Sequence, residues 1–273
     1  MKSYFFVPAN RLHKIPEIKA LNVDEIIIDL EDSIKVSKIS QYLTKLTSEP
    51  KYRNFYIRLN ILNEDFEIDL TNFNLLAQNG FTRFILPKFQ NASQLRKFFS
   101  IINKNDFQFI ILVENPKFFI QLDSILEEFS QQIYGVGIGS HDLLSLVGAK
   151  HTMNNLEFVR QTLLYTSLAY DKEVIDFASM NINEENDFLF ELTDAFDKGF
   201  NSKFFIHPWQ IECLNKVEFY SMEDYNWAKS IYKELQKLNF NYHEFNAIKI
   251  GDQIVEKPHV NRAISIIEYF NKQ

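Results

Sequence analysis

Short apolar runs recur along the chain, and each is followed by a longer segment of mixed apolar and polar positions. Eight of them are candidate strands: YFFV from Tyr4, EIIIDL from Glu25, FYIRLN from Phe55, RFILPK from Arg83, QFIILVE from Gln108, YGVGIG from Tyr134, EVID from Glu173 and KFFIHP from Lys203. Most are continuously apolar, which is typical of parallel strands covered on both faces. The segments between them have room for about one helix each, such as those starting at Asn91 and Asp123. The pattern predicts an α/β fold, a (β/α)8 barrel, which usually takes about 250 residues.

The C-terminal part of the chain exceeds what the eighth strand needs. Here the pattern predicts a helix from Ser221 to Leu238, a turn at Gly251-Asp252 and a further helix starting near Pro258, a favourable first-turn residue. We therefore expect residues 1–220 to form the barrel. Residues 221–273 should form a helical extension of the same structural domain, acting as a lid, as an oligomerisation arm or only in packing.

Polar residues stand where the predicted strands end, which is where a barrel of this type places its chemistry. They are Asp29, Glu31, Arg58, Asn60, Lys88, Glu114, Asp142, Asp176 and His207. Because acids and an arginine recur at one rim, we treat them as a constellation rather than as isolated motifs.

Glu114 and Asp142 follow adjacent predicted strands. Such strands lie about 4.8 Å apart, so both carboxylates could reach one hard cation such as Mg²⁺. The competing interpretation is that each acid caps the helix that follows it. For Asp142 in GSHDLL the two interpretations weigh equally, whereas Pro116 follows Glu114 closely and makes a cap there harder to explain. We therefore favour a metal site for the pair.

Arg58 lies within the predicted strand YIRLN and must be paired or face a polar rim. Its planar fork suits a carboxylate or a developing oxyanion, and an ion pair with Asp29 or Glu31 would also satisfy it. In IIIDLEDSI, period-two alternation puts Asp29 and Glu31 on one side. Asp32 is then the expected cap of the next helix, with Ser33 as the competing choice.

Three further features have structural explanations that compete with functional ones. The loop GVGIGSHDL supplies small residues and backbone N–H groups at a helix start, which favours an anion but is weak as a glycine motif. His207 before Pro208 is more often a hydrogen-bonded structural residue than a base. His141 is adjacent to Asp142 and faces another direction, and Cys213 is expected in the core.

Composition excludes several classes of protein. The formal net charge of −7 argues against a broad nucleic-acid footprint. Cys213 is the only cysteine, so no intramolecular disulfide forms. The N-terminus lacks the pattern of a signal peptide, and no stretch approaches the roughly 20 apolar residues of a membrane span. A cytoplasmic protein is the simplest expectation.

The sequence resembles the citrate lyase beta-subunit group of the HpcH/HpaI aldolase family, which includes malyl-CoA and citramalyl-CoA lyases. The resemblance rests on YFFVPANR, KALNVDEIIIDLEDSI, RLN, LPK, LVEN, GIGSHDL, GFNSKFFIHPWQI and GDQIVEKPHVNRA, in order over nearly the whole chain. It implies a TIM barrel with Mg²⁺ that makes or breaks a carbon–carbon bond in a 3-hydroxyacyl thioester, commonly of coenzyme A. An oxo-acid and an acyl thioester are the small-molecule partners.

The resemblance also implies roles for individual residues. Glu114 and Asp142 match the magnesium ligands, and Arg58 matches the arginine that binds the oxo-acid and stabilises the enolate. Backbone groups near Gly139 and Ser140 match the carboxylate site. Asp29 and Glu31 match acids beside the metal waters and the arginine, and Glu256 matches an acid–base aspartate that closes over a neighbouring subunit of a homotrimer or hexamer.

Three departures keep alternatives open. Glu256 is longer than the usual aspartate, Asn115 replaces a small residue, and His141 stands where relatives often carry an acid. The alternatives are an aldolase acting on a free 2-oxo acid without coenzyme A, and a non-catalytic barrel subunit. For the coenzyme A phosphates only Lys2, Arg11 and Lys19 are candidates, and exposed basic residues are usually just solvated.

Overall fold

All eight apolar runs form strands of one closed parallel barrel in the computed structural model, which describes residues 1–32, 34–102, 106–237, 246–250 and 253–271. The strands are β1 Lys2–Pro8, β2 Glu25–Asp29, β3 Tyr56–Arg58, β4 Arg83–Leu86, β5 Gln108–Val113, β6 Ile133–Ile138, β7 Glu173–Asp176 and β8 Ser202–Phe205. Each strand pairs with the next, and β8 pairs with β1. The predicted (β/α)8 fold is therefore confirmed.

The helices surround this barrel. They are α1 Ile15–Lys19, α2 Ile39–Ser48, α3 Thr71–Gln78, α4 Ala92–Ile101, α5 Pro116–Ile120, α6 Leu122–Phe129, α7 Ser140–Val147, α8 Met153–Leu168, α9 Glu185–Lys198 and α10 Pro208–Leu214. Two helices, not the expected one, fill each of the gaps after β5 and after β6. The helix predicted from Asn91 is α4, with the Asn91 side chain as its N-cap.

The barrel interior is filled by large side chains rather than by solvent. Tyr4, Tyr56 and Phe204 are buried there, with the ring centroids of Tyr4 and Tyr56 5.9 Å apart. Gly137 on β6 makes room for this packing, because a Cβ at that position would lie 2.6 Å from Cε2 of Phe204. Any larger residue there would push Phe204 out of the interior layer.

Contacts divide the chain into two compact units, Met1–Val217 and Glu218–Gln273. The second contains α11 Met222–Lys237, a two-stranded antiparallel sheet of β9 Ile248–Ile250 and β10 Gln253–Val255, and α12 Lys257–Asn271. Its own core includes Ile231, Val260 and Ile266. Both predicted tail helices are present, whereas the sheet was not predicted. The predicted turn at Gly251-Asp252 and the predicted helix end at Leu238 lie outside the described residues.

Candidate active site

A cavity of about 350 Å³ opens where β2, β3, β5 and β6 end. Its charged lining consists of Asp29, Asp32, Arg58, Glu114 and Asp142. Because these residues are far apart in sequence, the parallel barrel alone brings them together, as the strand-end pattern predicted.

Arg58 is the last residue of β3, and the parallel register places it directly beside Asp29 on β2. Its Nε donates to Asp29 Oδ1 at 2.7 Å, and its Nη1 lies 3.1 Å from Glu31 Oε2. The guanidinium carbon stands 4.7 Å from the centroid of the Phe6 ring. Within the described residues its Nη2 donates no hydrogen bond. The predicted ion pairs are confirmed, and they fix the guanidinium at the rim.

Lys88, one of the polar residues noted at the strand ends, is a second cation of this cluster, although the sequence assigned it no role. Its Nζ lies 2.6 Å from Glu31 Oε1 and 2.9 Å from Asp32 Oδ1. The backbone of Lys88 adopts the left-handed region with φ 64°, a conformation that costs a non-glycine residue free energy. That turn directs both its N–H and its ammonium group toward the acids.

The prediction that Asp32 caps the next helix is wrong. The 3₁₀ helix after β2 spans Val36–Lys38, and its N-cap residue is Lys35, without a side-chain cap. Asp32 instead pairs with Lys88, because the strand ends at Asp29 and period-two alternation no longer applies beyond it. The competing cap, Ser33, lies outside the described residues.

Glu114 directly follows β5 and is only 6% exposed. It is not a helix cap, since the Asn115 side chain accepts from Lys117 N and caps α5. Its Oε2 accepts a hydrogen bond from the backbone N–H of Lys88 at 2.8 Å. Burial, and then the neighbouring Glu31 carboxylate, raise the pKa of Glu114 to about 8, although the Lys88 N–H opposes the shift. The surroundings of Glu114 therefore disfavour its ionised form.

Asp142 is the third residue of α7 and is exposed at the cavity. It is not the N-cap of that helix, because Gly139 occupies the N-cap position. The negative charge of Asp142 contributes to the raised pKa of Glu114, so the two carboxylates are electrostatically coupled. A first-turn acid also suits the helix dipole, so α7 accommodates Asp142 whatever else it binds.

Gly139 creates the space that Glu114 occupies. A Cβ on Gly139 would lie 2.5 Å from Glu114 Oε1 and 2.8 Å from its Cδ, which no real packing allows. The glutamate can therefore face the start of α7 only because position 139 is glycine. The requirement is one of space, since the φ of −90° at Gly139 is open to any residue.

Magnesium fits this donor set. It prefers carboxylate and water oxygens and is commonly held by only one or two carboxylates. Within the described parts of the chain, no group of three or more His, Cys, Asp or Glu side chains is arranged to hold an ion. Glu114 and Asp142 would thus supply two ligands and leave the other positions to water and substrate oxygens. A divalent cation would also offset the repulsion from Glu31 and Asp142, which adds to burial in raising the pKa of Glu114.

The start of α7 presents backbone N–H groups at the same cavity. The first intrahelical bond runs from Leu143 N to Gly139 O, so the amides of the first turn have no partner within the helix. Ser140 is buried, and its Oγ lies 2.8 Å from His151 Nε2. This end of α7 is suited to a carboxylate, as the GVGIGSHDL pattern predicted.

His141 stacks flat on His151, with ring centroids 3.9 Å apart and 4° between the planes. Burial lowers the pKa of both imidazoles, that of His151 to about 4, so the pair is neutral near pH 7. The Nε2 atom of His141 is buried without a hydrogen-bond partner in the described chain. The stack therefore acts as a rigid wall beside α7.

Asp176 and His207, also noted at strand ends, have structural roles. Asp176 faces the helices, where Arg160 binds it through Nε and Nη2 at 2.9 Å and Lys203 lies 3.3 Å away; all three side chains are buried. His207 caps α10 by accepting from Trp209 N at 3.2 Å, as the structural interpretation expected. Cys213 is buried in the core, also as expected.

Glu256 lies in the second unit, immediately before α12. Its backbone N–H donates to His259 Nδ1 at 3.1 Å. The acid–base role that the family resemblance implies for its side chain stays a prediction.

A second cavity, of about 490 Å³, lies beside the outer face of β1 and the 3₁₀ helix Ala9–Lys14. Arg11, His13 and Lys14 line it together with apolar residues such as Phe5 and Ile18. Phe6, Pro8 and Ile206 line both this cavity and the first one. Of the three basic candidates for coenzyme A phosphates, only Arg11 is placed here, because Lys2 pairs with Glu25 at the opposite end of β1 and Lys19 lines a different depression.

No helix among the described residues is both long enough and apolar enough to cross a membrane.

The chain resembles known proteins in sequence and in fold. The family model for HpcH/HpaI aldolase/citrate lyase matches residues 2–208. Citrate lyase subunit beta of Leuconostoc mesenteroides subsp. cremoris is 21% identical over 285 residues, covering 99% of this chain and 93% of that protein. The mitochondrial citramalyl-CoA lyase of Mus musculus is 24% identical over 293 residues, covering 97% of this chain and 85% of that protein.

Solved structures share the barrel. CitE from Mycobacterium tuberculosis, in complex with magnesium, acetoacetate and coenzyme A, superposes with a TM-score of 0.78 at 22% identity, covering 98% of this chain and 97% of that one. RipC from Yersinia pestis gives a TM-score of 0.66 at 25% identity, covering 79% of this chain and 93% of that one. At such identities the likeness establishes the fold.

Proposed function

Because the chain belongs to the HpcH/HpaI aldolase/citrate lyase family, we propose that it is a magnesium-dependent carbon–carbon lyase that acts on a 3-hydroxyacyl thioester of coenzyme A. The observation that carries the proposal is the pairing of buried Glu114 with Asp142 beside Arg58 in one cavity. Named relatives act on such thioesters, as citramalyl-CoA lyase does. A non-catalytic barrel has no evident need for a buried acid with a pKa near 8.

In the cleavage direction, a base takes the hydroxyl proton of the substrate, and the bond between C2 and C3 breaks. The electron pair moves to C2 and is delocalised onto the thioester oxygen as an enolate. Protonation of C2 then gives the acyl thioester, and the hydroxyl-bearing fragment leaves as a 2-oxo acid. Magnesium held by Glu114 and Asp142 would supply Lewis-acid polarisation of the substrate oxygens.

Arg58 is the residue that we assign to the enolate oxygen. Asp29 and Glu31 hold its Nε and Nη1, so the guanidinium is fixed before substrate arrives. Its Nη2 is left to donate to the developing negative charge. In other enzymes a preorganised donor of this kind is worth roughly 3–4 kcal/mol of transition-state stabilisation.

The start of α7, at Gly139 and Ser140, would hold the carboxylate of the oxo-acid through the backbone amides from Ser140 onward, because the Gly139 N–H already donates to Val113 O at 3.1 Å. Those amides lie at a helix N-terminus, where the peptide dipoles favour an anion. The bond between Ser140 Oγ and His151 steadies this turn. Carboxylate binding here would place the rest of the oxo-acid next to the paired acids.

The cavity beside Arg11 is our candidate for the coenzyme A end of the substrate. It shares Phe6 and Pro8 with the catalytic cavity, so a pantetheine arm could pass between the two. Arg11 and His13 would face the phosphates, whereas Lys14 is paired with Glu17, which lines the same cavity. Two further parts of the proposal rest on the family resemblance. Glu256 serves as the acid–base group, and the chain assembles into a homotrimer or hexamer.

The test is turnover of malyl-, citramalyl- and citryl-CoA with magnesium by the wild type, Arg58→Ala and the control Arg96→Ala. Arg96 pairs with Glu128 on the exposed surface, so its replacement should leave turnover unchanged. Loss of the Arg58 guanidinium should lower kcat by roughly 10²–10³-fold. Full turnover by Arg58→Ala would remove the residue from the mechanism. Activity on free oxo-acids alone would remove coenzyme A from the proposal.

A further inference from the structure

The catalytic cavity combines charged and apolar side chains, and this composition bears on which oxo-acid it can hold. Besides its acids and Arg58, it is lined by Phe6, Leu112, Ile138, Ala178, Met180 and Phe204. Phe6 packs against the Arg58 guanidinium, and Leu112 and Phe204 belong to the barrel core, so much of the surface around the charged groups is apolar. A group on the keto carbon of the oxo-acid that neither the metal ligands nor the α7 amides hold would meet this apolar lining.

The described lining contains four carboxylates, those of Asp29, Asp32, Glu114 and Asp142, against the single guanidinium of Arg58, which gives a formal charge of −3. Two nitrogens of Arg58 are already committed to acids. With all four carboxylates ionised, a magnesium ion would reduce this formal charge to −1, and the first carboxylate of a substrate would bring it to −2. The electrostatic balance is therefore unfavourable for a second carboxylate.

Neither of the other nearby cations is available to such a group. Lys88 is held between Glu31 and Asp32 and does not line this cavity. Lys203 is fully buried on Asp176 and on the carbonyl of Phe177. His141 does line the cavity, but its Nε2 is buried and its ring lies flat on His151.

We propose that the site is selective for a 2-oxo monocarboxylate with a small apolar group, of the pyruvate or 2-oxobutyrate type, over a 2-oxo dicarboxylate of the oxaloacetate type. The inference rests on the proposed function and narrows its substrate class. A second carboxylate would lose its hydration against apolar side chains and face a net negative field, with no cation besides Arg58 among the described residues that line the cavity. A methyl or ethyl group would instead bury apolar surface.

The experiment is calorimetric binding to the full-length protein with saturating magnesium, using matched pairs of ligands. In each pair a methyl group replaces a carboxylate: 2-oxobutyrate against freshly dissolved oxaloacetate, and 2-oxopentanoate against 2-oxoglutarate. The apolar member should bind at least about tenfold more tightly in both pairs. Equal or tighter binding of the dicarboxylates overturns this inference alone. No magnesium-dependent binding by any of the four overturns the proposed function and this inference together.

A gain-of-function variant locates the selectivity. Met180 is 58% exposed at the mouth of the cavity, so a longer polar side chain fits there without disturbing the core. Met180→Lys should tighten dicarboxylate binding by about tenfold, while the neutral control Met180→Gln should leave the preference as in the wild type. If Met180→Lys keeps the wild-type preference for monocarboxylates, the group on the keto carbon does not contact the apolar lining near position 180, and the assignment is overturned.

Discussion

Replacing Glu114 by glutamine tests whether the fold disfavours an ionised carboxylate at this position. At high pH and without metal, the variant should be more stable than the wild type because it lacks that carboxylate. In the fold the pKa of Glu114 is raised to about 8 from an ordinary value of 4.5, chiefly by burial. The folded protein thus holds a proton that the unfolded chain has released over this range. The contribution of Glu114 to the free energy of unfolding is therefore greatest below about pH 4.5 and is lost progressively as the pH rises toward 8.

The magnitude follows from the two pKa values. Each tenfold difference in proton affinity corresponds to about 1.4 kcal/mol, so the full loss is at most roughly 5 kcal/mol above pH 8. Glutamine has nearly the same shape and no charge, so Glu114→Gln should show none of this pH dependence. At high pH its melting temperature should exceed that of the wild type by up to roughly 10–20 °C.

The assay is thermal unfolding in a chelator between about pH 5 and pH 9, followed by circular dichroism, with Glu127→Gln as the control. Glu127 is an exposed acid on α6, so its removal should leave the wild-type profile unchanged. A wild-type profile that runs parallel to that of Glu114→Gln would refute the burial argument. Adding magnesium at high pH should stabilise the wild type by about 2.7 kcal/mol at 100 times its Kd and stabilise Glu114→Gln little. Equal stabilisation of both would refute the metal assignment.

Three further changes are expected to act through separate mechanisms. Gly139→Ala should weaken magnesium binding roughly tenfold or more by calorimetry while the protein stays folded, since the new Cβ would overlap the Glu114 carboxylate; unaltered binding would contradict that geometry. Asp176→Asn should lower the free energy of unfolding by about 3–5 kcal/mol in urea titrations, because the buried Lys203 loses its compensating charge and Arg160 keeps only Asp194. His207→Ala should cost about 1 kcal/mol in the same titrations by uncapping α10, with kcat retained. Because His207 also lines the cavity beside Arg11, only a lower kcat at saturating substrate would give it a role in catalysis.

The barrel and most of its rim are predictable because the signals are local. Each strand is a short apolar run, and parallel pairing forces the ends of those runs to one face, which is why Asp29 and Arg58 become neighbours. Arg58 and the two proposed metal ligands could be picked out on that basis. The prediction relied on the position of each residue along its strand and needed no tertiary contact.

The sequence was a poor guide where the position of a residue along a strand did not determine the direction of its side chain. Asp176 ends β7 like the other rim acids, yet it faces Arg160 on α8, a partner that no sequence pattern indicated. Lys88 reaches the acid cluster because its backbone turns into the left-handed region, which is not encoded in the LPK motif. Asp32 joins the cluster for a related reason, since the chain has left the strand by that point.

The three acids of IIIDLEDSI can now be separated by what each contacts. Asp29 fixes Nε of Arg58, Glu31 lies between Arg58 and Lys88, and Asp32 binds Lys88 at the cavity edge. These contacts engage both cations. Arg58 still favours the ionised form of Glu114, but burial and the Glu31 carboxylate raise the pKa of Glu114 by more. A neutral residue at position 114 would avoid the cost of burying a carboxylate. The raised pKa of Glu114, next to a second carboxylate and an open helix N-terminus, is therefore the feature that supports the proposed divalent-cation site.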